Sequence, residues 1–195
     1  MNATHARPKV AVFGGSFSCA ESSKVAKRAW SEALGVDVVD YGIGGMGFLA
    51  GAPVEGDVPN QIRRALAAGE PYRVFVLWAS TNDIHEFAVD QQNAAIERCV
   101  KMVRAESPDS TVVLFTSMPW PLDPEKNAVL GRFAQGQLET CARLDVPCLD
   151  LYRRSGMTAA NAIHYTEDDH LHPNEAAYDK IKGLQVEFLR RVLFG

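Results

Sequence analysis

Five short apolar runs alternating with amphipathic segments predict an α/β protein, a three-layer α/β/α sandwich around a five-stranded parallel sheet. The runs occupy residues 10–13, 36–40, 73–78, 111–115 and 146–150, and apolar residues recur at helical spacing between them. Polar, glycine-rich or proline-rich clusters follow the runs, at the carboxyl ends of strands where open α/β sheets place their ligands. The 195 residues are read as a single domain, 1–195, without internal repeats or low-complexity segments.

The first strand, Val10-Ala11-Val12-Phe13, is continuously apolar, as expected of a central strand covered on both faces. It stops at Gly14-Gly15-Ser16-Phe17-Ser18, after which Val25, Ala26, Ala29, Trp30, Ala33 and Leu34 mark a helix. The glycine pair permits a sharp turn and leaves room for a substrate beside a small hydroxyl, which makes Ser16 a candidate nucleophile. Taken alone, the same residues suit a tight strand-to-helix turn in which Ser16 or Ser18 caps the helix. The second strand, Val36-Asp37-Val38-Val39-Asp40, runs into Tyr41-Gly42-Ile43-Gly44-Gly45-Met46-Gly47. So many glycines after a strand suggest backbone N–H groups freed to face a ligand. A dinucleotide fingerprint would need a helix opening directly on them, whereas the residues from Phe48 onward read as loop.

A helix over 58–68 stops at Gly69, and the third strand, 73–78, ends in Ala79-Ser80-Thr81-Asn82-Asp83. Asn82 suits a turn or a side-chain donor equally. After a helix over 90–105, the fourth strand ends in Thr116-Ser117-Met118-Pro119-Trp120-Pro121, with Trp120 either a lid over buried surface or a substrate wall. A helix over 127–144, the short strand 146–150, a loop through Gly156 and Asn161, the cluster 168–174 and a helix over 175–193 complete the chain.

With 47% hydrophobic and 23% charged residues the composition is that of an ordinary globule. A net charge of −4, with scattered lysines and arginines, gives no electrostatic reason to bind nucleic acid. No apolar run suits a membrane span or a signal peptide, and the first strand starts within nine residues, so a cytoplasmic location without membrane attachment is expected. Cys19, Cys99, Cys141 and Cys148 have no CxxC or metal-type spacing and fit reduced thiols. Cys19 is expected as a packing thiol near the first glycine turn.

The strand-end clusters would gather Ser16, Gly45, Asn82, Asp169 and His172 on one rim. A serine hydroxyl is a poor nucleophile unless a base takes its proton, and histidine is the side chain suited to that near neutral pH. In Asp169-His170-Leu171-His172 the carboxylate and the second imidazole are three residues apart, so a turn brings them together and the acid can fix the imidazole tautomer. A competing reading sets His170 and His172 around a metal ion with Asp168 or Asp169. No separate third ligand cluster accompanies them, and neither a metal nor another cofactor is expected.

These motifs make the chain resemble the SGNH hydrolases, the GDSL esterase and lipase family, over nearly its whole length. The family's Gly-Asp-Ser block reads Gly14-Gly15-Ser16, and its second-block glycine maps to Gly45, with Gly44 a rival. Its Gly-x-Asn-Asp block reads Ser80-Thr81-Asn82-Asp83, and its Asp-x-x-His-Pro block is intact at 169–173. The resemblance implies the flavodoxin-like SGNH hydrolase fold, with Ser16 as nucleophile, His172 as base and Asp169 as its orienting partner. It also implies an oxyanion hole from the N–H groups of Ser16 and Gly45 and the side chain of Asn82. Gly15 and Ser80 depart from the pattern at positions that supply neither triad nor oxyanion groups.

The expected activity is hydrolysis of small-molecule esters with acetyl or other short acyl groups, because no loop holds an apolar run able to bury a long chain. Trp78, Trp120 or Tyr165 would offer a flat surface for a sugar or similar alcohol. A lysophospholipase, a thioesterase or an acyltransferase with the same triad, and a binding module on the same fold, are the alternatives.

Overall fold

A computed structural model describes residues 6–51 and 56–195. Strands β1 (Lys9–Gly14), β2 (Asp37–Asp40), β3 (Tyr72–Trp78), β4 (Thr111–Phe115) and β5 (Cys148–Leu149) form one parallel sheet in the order β2-β1-β3-β4-β5. The expected architecture is therefore present. Strand β3 lies beside β1 although β2 precedes it in sequence, so the chain reverses its direction of winding between β1 and β3. Loops diverge at such a switch point and leave a crevice above the strand ends.

The first glycine turn opens the one-turn helix α1 (Ser16–Cys19), and a 3-10 turn at Glu21–Ser23 leads into α2 (Lys24–Leu34), which stops at Gly35 in the left-handed conformation. Helix α3 (Val58–Ala67) is capped by Asp57, whose carboxylate accepts from Asn60 N–H at 3.0 Å. Helices α4 (Val89–Glu106) and α5 (Pro124–Leu144) follow β3 and β4. Helix α5 begins ahead of its expected start because Asp123 accepts from Lys126 N–H and proline fits the first turn. The stretch expected as loop after β5 contains α6 (Leu151–Arg154), capped by Asp150, and a 3-10 turn at Ala162–His164. The last helix, α7, spans Glu175–Phe194.

Alternation along the strands divides the core in two. Val10, Val12, Val74, Val76 and Trp78 face α2 and α7, while Ala11, Phe13, Phe75 and Leu77 face α3 and α4. This alternation overturns one expectation. Trp78 is 0% exposed, with its ring 6.1 Å from Trp30 and 5.5 Å from Phe115 between centroids, so it packs the core and offers no platform to a substrate. No helix among the described residues is long and apolar enough to cross a membrane.

Candidate active site

The site starts from how β1 ends. Gly14 pairs with Trp78 in register, and a Cβ on Gly14 would lie 2.4 Å from the Trp78 carbonyl oxygen, so only glycine lets the two strand ends approach this closely. The backbone of Gly14 is then gripped by the buried Gln61 of α3. Its N–H donates to Gln61 Oε1 at 2.9 Å, and Gln61 Nε2 donates to the Gly14 carbonyl at 3.0 Å and to Gly56 at 2.7 Å. From the other side, Tyr178 of α7 donates its hydroxyl to the Phe17 carbonyl at 2.7 Å. Ser16 thus begins a short helix whose two flanks are tied to different layers of the fold. Ser18, the other serine of the turn, is 0% exposed and donates to the Gly15 carbonyl at 2.9 Å, which commits its hydroxyl to the turn itself.

Across the rim, residues 166–174 form a compact loop closed by a Thr166–Pro173 bridge and by Glu167 N–H donating to the His172 carbonyl at 2.7 Å. Ser22 donates to the Pro173 carbonyl at 3.0 Å, tying this loop to the segment behind α1. Asn174 caps α7 through Ala177 N–H at 3.1 Å. These anchors place His172 Nε2 2.8 Å from Ser16 Oγ, while Nδ1 meets the Asp169 carboxylate. The tautomer that satisfies both neighbours carries its proton on Nδ1, leaving Nε2 to accept from the serine hydroxyl.

Asp169 also accepts from the N–H groups of Leu171 at 3.0 Å and His172 at 2.9 Å. Partial burial works to raise its pKa, but the His172 ring and the two N–H groups outweigh that and hold it down at about 2. Both ring nitrogens of His172 are therefore engaged. His170 takes a left-handed turn conformation (φ 59°) and is exposed, and no cluster of three or more His, Cys, Asp or Glu able to hold a metal is present among the described residues.

The second rim loop is organised by its glycines and by Asp83. Met46 N–H donates to the Ile43 carbonyl at 3.2 Å, and Gly45 has φ 77°, which makes residues 43–46 a type II turn that requires glycine at its third position. Asp83, only 1% exposed, accepts from the N–H groups of Phe48 (2.9 Å), Leu49 (3.0 Å) and Ala50 (2.8 Å) and from Gln92 Nε2 (2.8 Å). A Cβ on Gly47 would sit 2.2 Å from Asp83 Oδ1. The carboxylate thereby fastens the loop after β2 to the 3-10 turn Asn82–His85 that follows β3. Asn82 itself lies under Gly15, with its Nδ2 2.8 Å from where a Gly15 Cβ would be.

The remaining sequence candidates fall into two groups. Trp120 is half-buried on the loop after β4, with Lys126 Nζ 4.4 Å from its ring centroid and His85 edge-on at 6.4 Å. Because His85 belongs to the turn that starts at Asn82, Trp120 borders the rim of the site. Tyr165 is half-buried against the core beneath α7, and Lys180 lies 5.1 Å from its ring centroid, so a cation already covers part of it. Cys19 is half-buried, and burial together with nearby Asp40 pushes its thiol pKa up, which keeps it protonated. Gln61 and Tyr178 were not legible as site residues, because their partners are backbone atoms remote in sequence.

Fold and site together define a flavodoxin-like α/β/α protein with a Ser–His–Asp chain of hydrogen bonds at the crevice between β1 and β3. The chain belongs to the GDSL-like lipase/acylhydrolase family, whose model matches residues 11–180, and this makes it a carboxylic ester hydrolase of that type. Solved structures share the fold at low identity. The lipase/acylhydrolase from Enterococcus faecalis is 18% identical with TM-score 0.71, covering 94% of this chain and 96% of its own. A carbohydrate acetylesterase from Sinorhizobium meliloti is 13% identical with TM-score 0.76, covering 95% and 100%. The native aryl esterase of M. smegmatis is 15% identical with TM-score 0.78, covering 95% and 100%. No curated protein sequence matches the chain.

Proposed function

We propose that the protein hydrolyses short-chain acyl esters, acetyl esters first among them, with Ser16 as nucleophile, His172 as general base and acid, and Asp169 as orienting carboxylate. The observation that carries this reading is the 2.8 Å contact between Ser16 Oγ and His172 Nε2, backed by Asp169 on the opposite nitrogen. In the reaction His172 takes the serine proton as Oγ attacks the acyl carbon, and the carbonyl oxygen becomes an oxyanion. The N–H groups of Ser16 and Gly45 and the Asn82 amide are assigned to that oxyanion. His172 returns the proton to the leaving alcohol, then activates the water that releases the acid from Ser16.

The short-acyl preference is supported by the scarcity of exposed apolar side chains. Among the described residues the exposed large apolar side chains are Leu122, Ile163 and Phe194, which lie far apart in sequence. A dodecanoyl tail gains about 0.8 kcal/mol per methylene only where a groove removes it from water. Trp120 is assigned to the alcohol side, with sugar esters the class to try first, in keeping with the acetylesterase that shares the fold. Reaction in the cytoplasm accords with four free cysteines.

The test is labelling with a fluorophosphonate, followed by kcat/KM for acetyl, butyryl and dodecanoyl esters of one alcohol below their aggregation limits. Ser16→Ala is expected to abolish labelling and turnover with the fold intact. Silencing by Ser18→Ala instead would displace the nucleophile, and dodecanoyl as the best substrate would refute the acyl assignment.

A further inference from the structure

The two departures from the family pattern, Gly15 and Ser80, lie against each other. Strands β1 and β3 end together at Gly14 and Trp78, so Gly15 and Ser80 lie one and two residues beyond the paired ends. A Cβ on Gly15 would lie 2.3 Å from the Met46 carbonyl oxygen, 2.8 Å from Asn82 Nδ2 and 2.9 Å from Ser80 Oγ. Any side chain at position 15 would have to enter the volume these three atoms fill.

The three atoms also bond to one another. Asn82 Nδ2 donates to the Met46 carbonyl at 2.8 Å and to Ser80 Oγ at 3.1 Å, and Ser80 Oγ donates to the same carbonyl at 3.1 Å. This near-equilateral triangle puts both acceptors on one side of the amide nitrogen. The two N–H bonds of a planar amide diverge by about twice the angle that these acceptors subtend, so the amide either straddles them or points one N–H between them. In the second arrangement one N–H is shared between Met46 and Ser80, and the other is left for a different acceptor. Ser80 is 4% exposed, so its hydroxyl has little water to exchange with and stays with these partners.

We infer that Ser80 is a positioning residue for Asn82: together with the Met46 carbonyl, its hydroxyl fixes the amide so that one N–H remains free beside Gly15 and Ser16 for the oxyanion. Gly15 is the other half of the arrangement, because its missing side chain makes the space that the triangle occupies. Met46 is held in turn by its side chain, whose Sδ lies 2.0 Å from where a Gly51 Cβ would be. The inference rests on the reading of Asn82 as an oxyanion donor, and its test separates the two.

The experiment is a double-mutant cycle on a short-acyl ester, with kcat and KM measured for wild type, Ser80→Ala, Asn82→Ala and the double variant. Asn82→Ala is expected to lower kcat by about 10²–10³, the scale of one oxyanion donor. Ser80→Ala is expected to lower kcat by about tenfold at a KM unchanged within about twofold, because a misaligned donor fails mainly in the transition state. In the Asn82→Ala background Ser80→Ala is expected to add nothing, and Ser80→Thr, which keeps the hydroxyl, is expected to restore kcat. Ser80→Cys, close in volume with a weak hydrogen-bonding group, should match the alanine variant and covers the case in which alanine does not fold. A full further tenfold loss in the double variant would make Ser80 a general structural residue and overturn the inference. So would a kcat within about twofold of wild type for both Ser80→Ala and Ser80→Cys while Asn82→Ala is impaired. An unimpaired Asn82→Ala would refute the oxyanion assignment itself, and the role of Ser80 with it.

Discussion

Replacing Asp83 with alanine tests whether the loop after β2 is held in place by one buried carboxylate. Asp83 accepts four hydrogen bonds and forms no ion pair among the described residues, so the donors alone compensate its burial. In Asp83→Ala the N–H groups of Leu49 and Ala50 are half-buried and can regain water. The N–H of Phe48 (1% exposed) and the amide of Gln92 (0%) cannot. Two orphaned buried donors at about 1–3 kcal/mol each cost about 2–6 kcal/mol, and relief of the buried charge brings the expectation to about 3–4 kcal/mol. For a chain of this length that lowers Tm by about 6–16 °C. Gly45 sits in the same loop, so kcat on an acetyl ester should fall by about 10–100-fold as the proposed oxyanion donor loses its fixed position. Thermal unfolding followed by circular dichroism, with kcat measured well below the transition, supplies both numbers. A Tm within about 2 °C of wild type would refute the accounting of orphaned donors. A large drop in Tm with kcat intact would show that the loop is stabilised by Asp83 but not positioned by it.

Other outcomes follow from the same geometry. Asp169→Asn should lower kcat by about 10³–10⁴, since the amide no longer enforces the tautomer with its proton on Nδ1; a tenfold loss or less would demote the carboxylate. With the Asp169 carboxyl held at about 2, below its ordinary value, its contribution to stability is complete above the unfolded carboxyl range and is lost as pH falls through about 2. It therefore imposes no acid limb on activity above that range. Gly45→Ala should cost about 1–2 kcal/mol for the left-handed backbone yet keep most of the activity, because the N–H remains and nothing lies within 4 Å of the new Cβ. Treatment with EDTA should leave turnover unchanged; loss restored by zinc would favour a His170/His172 metal site.

The sequence by itself determined the architecture, for a physical reason. Continuous apolar runs such as Val10-Ala11-Val12-Phe13 have no stable place except between two helix layers, and helical spacing from Val25 to Leu34 supplies one of those layers. It also exposed the Asp169–His172 pair, because three residues in a turn bring the two side chains together whatever the rest of the chain does. Ser16 was legible through its glycines, but its choice over Ser18 was carried by the family resemblance. Only the tertiary structure separated the two hydroxyls, by burying Ser18 against the Gly15 carbonyl and leaving Ser16 to His172. Trp78 was misread because a strand's last residue points up toward the rim or down into a core layer according to register, and register is set by neighbours far away in sequence. Gln61, Tyr178 and the Gly15–Ser80 contact were invisible for the same reason. Each depends on which backbone atoms a remote element presents, and that is decided only when β3 is laid against β1 and the helices close over both.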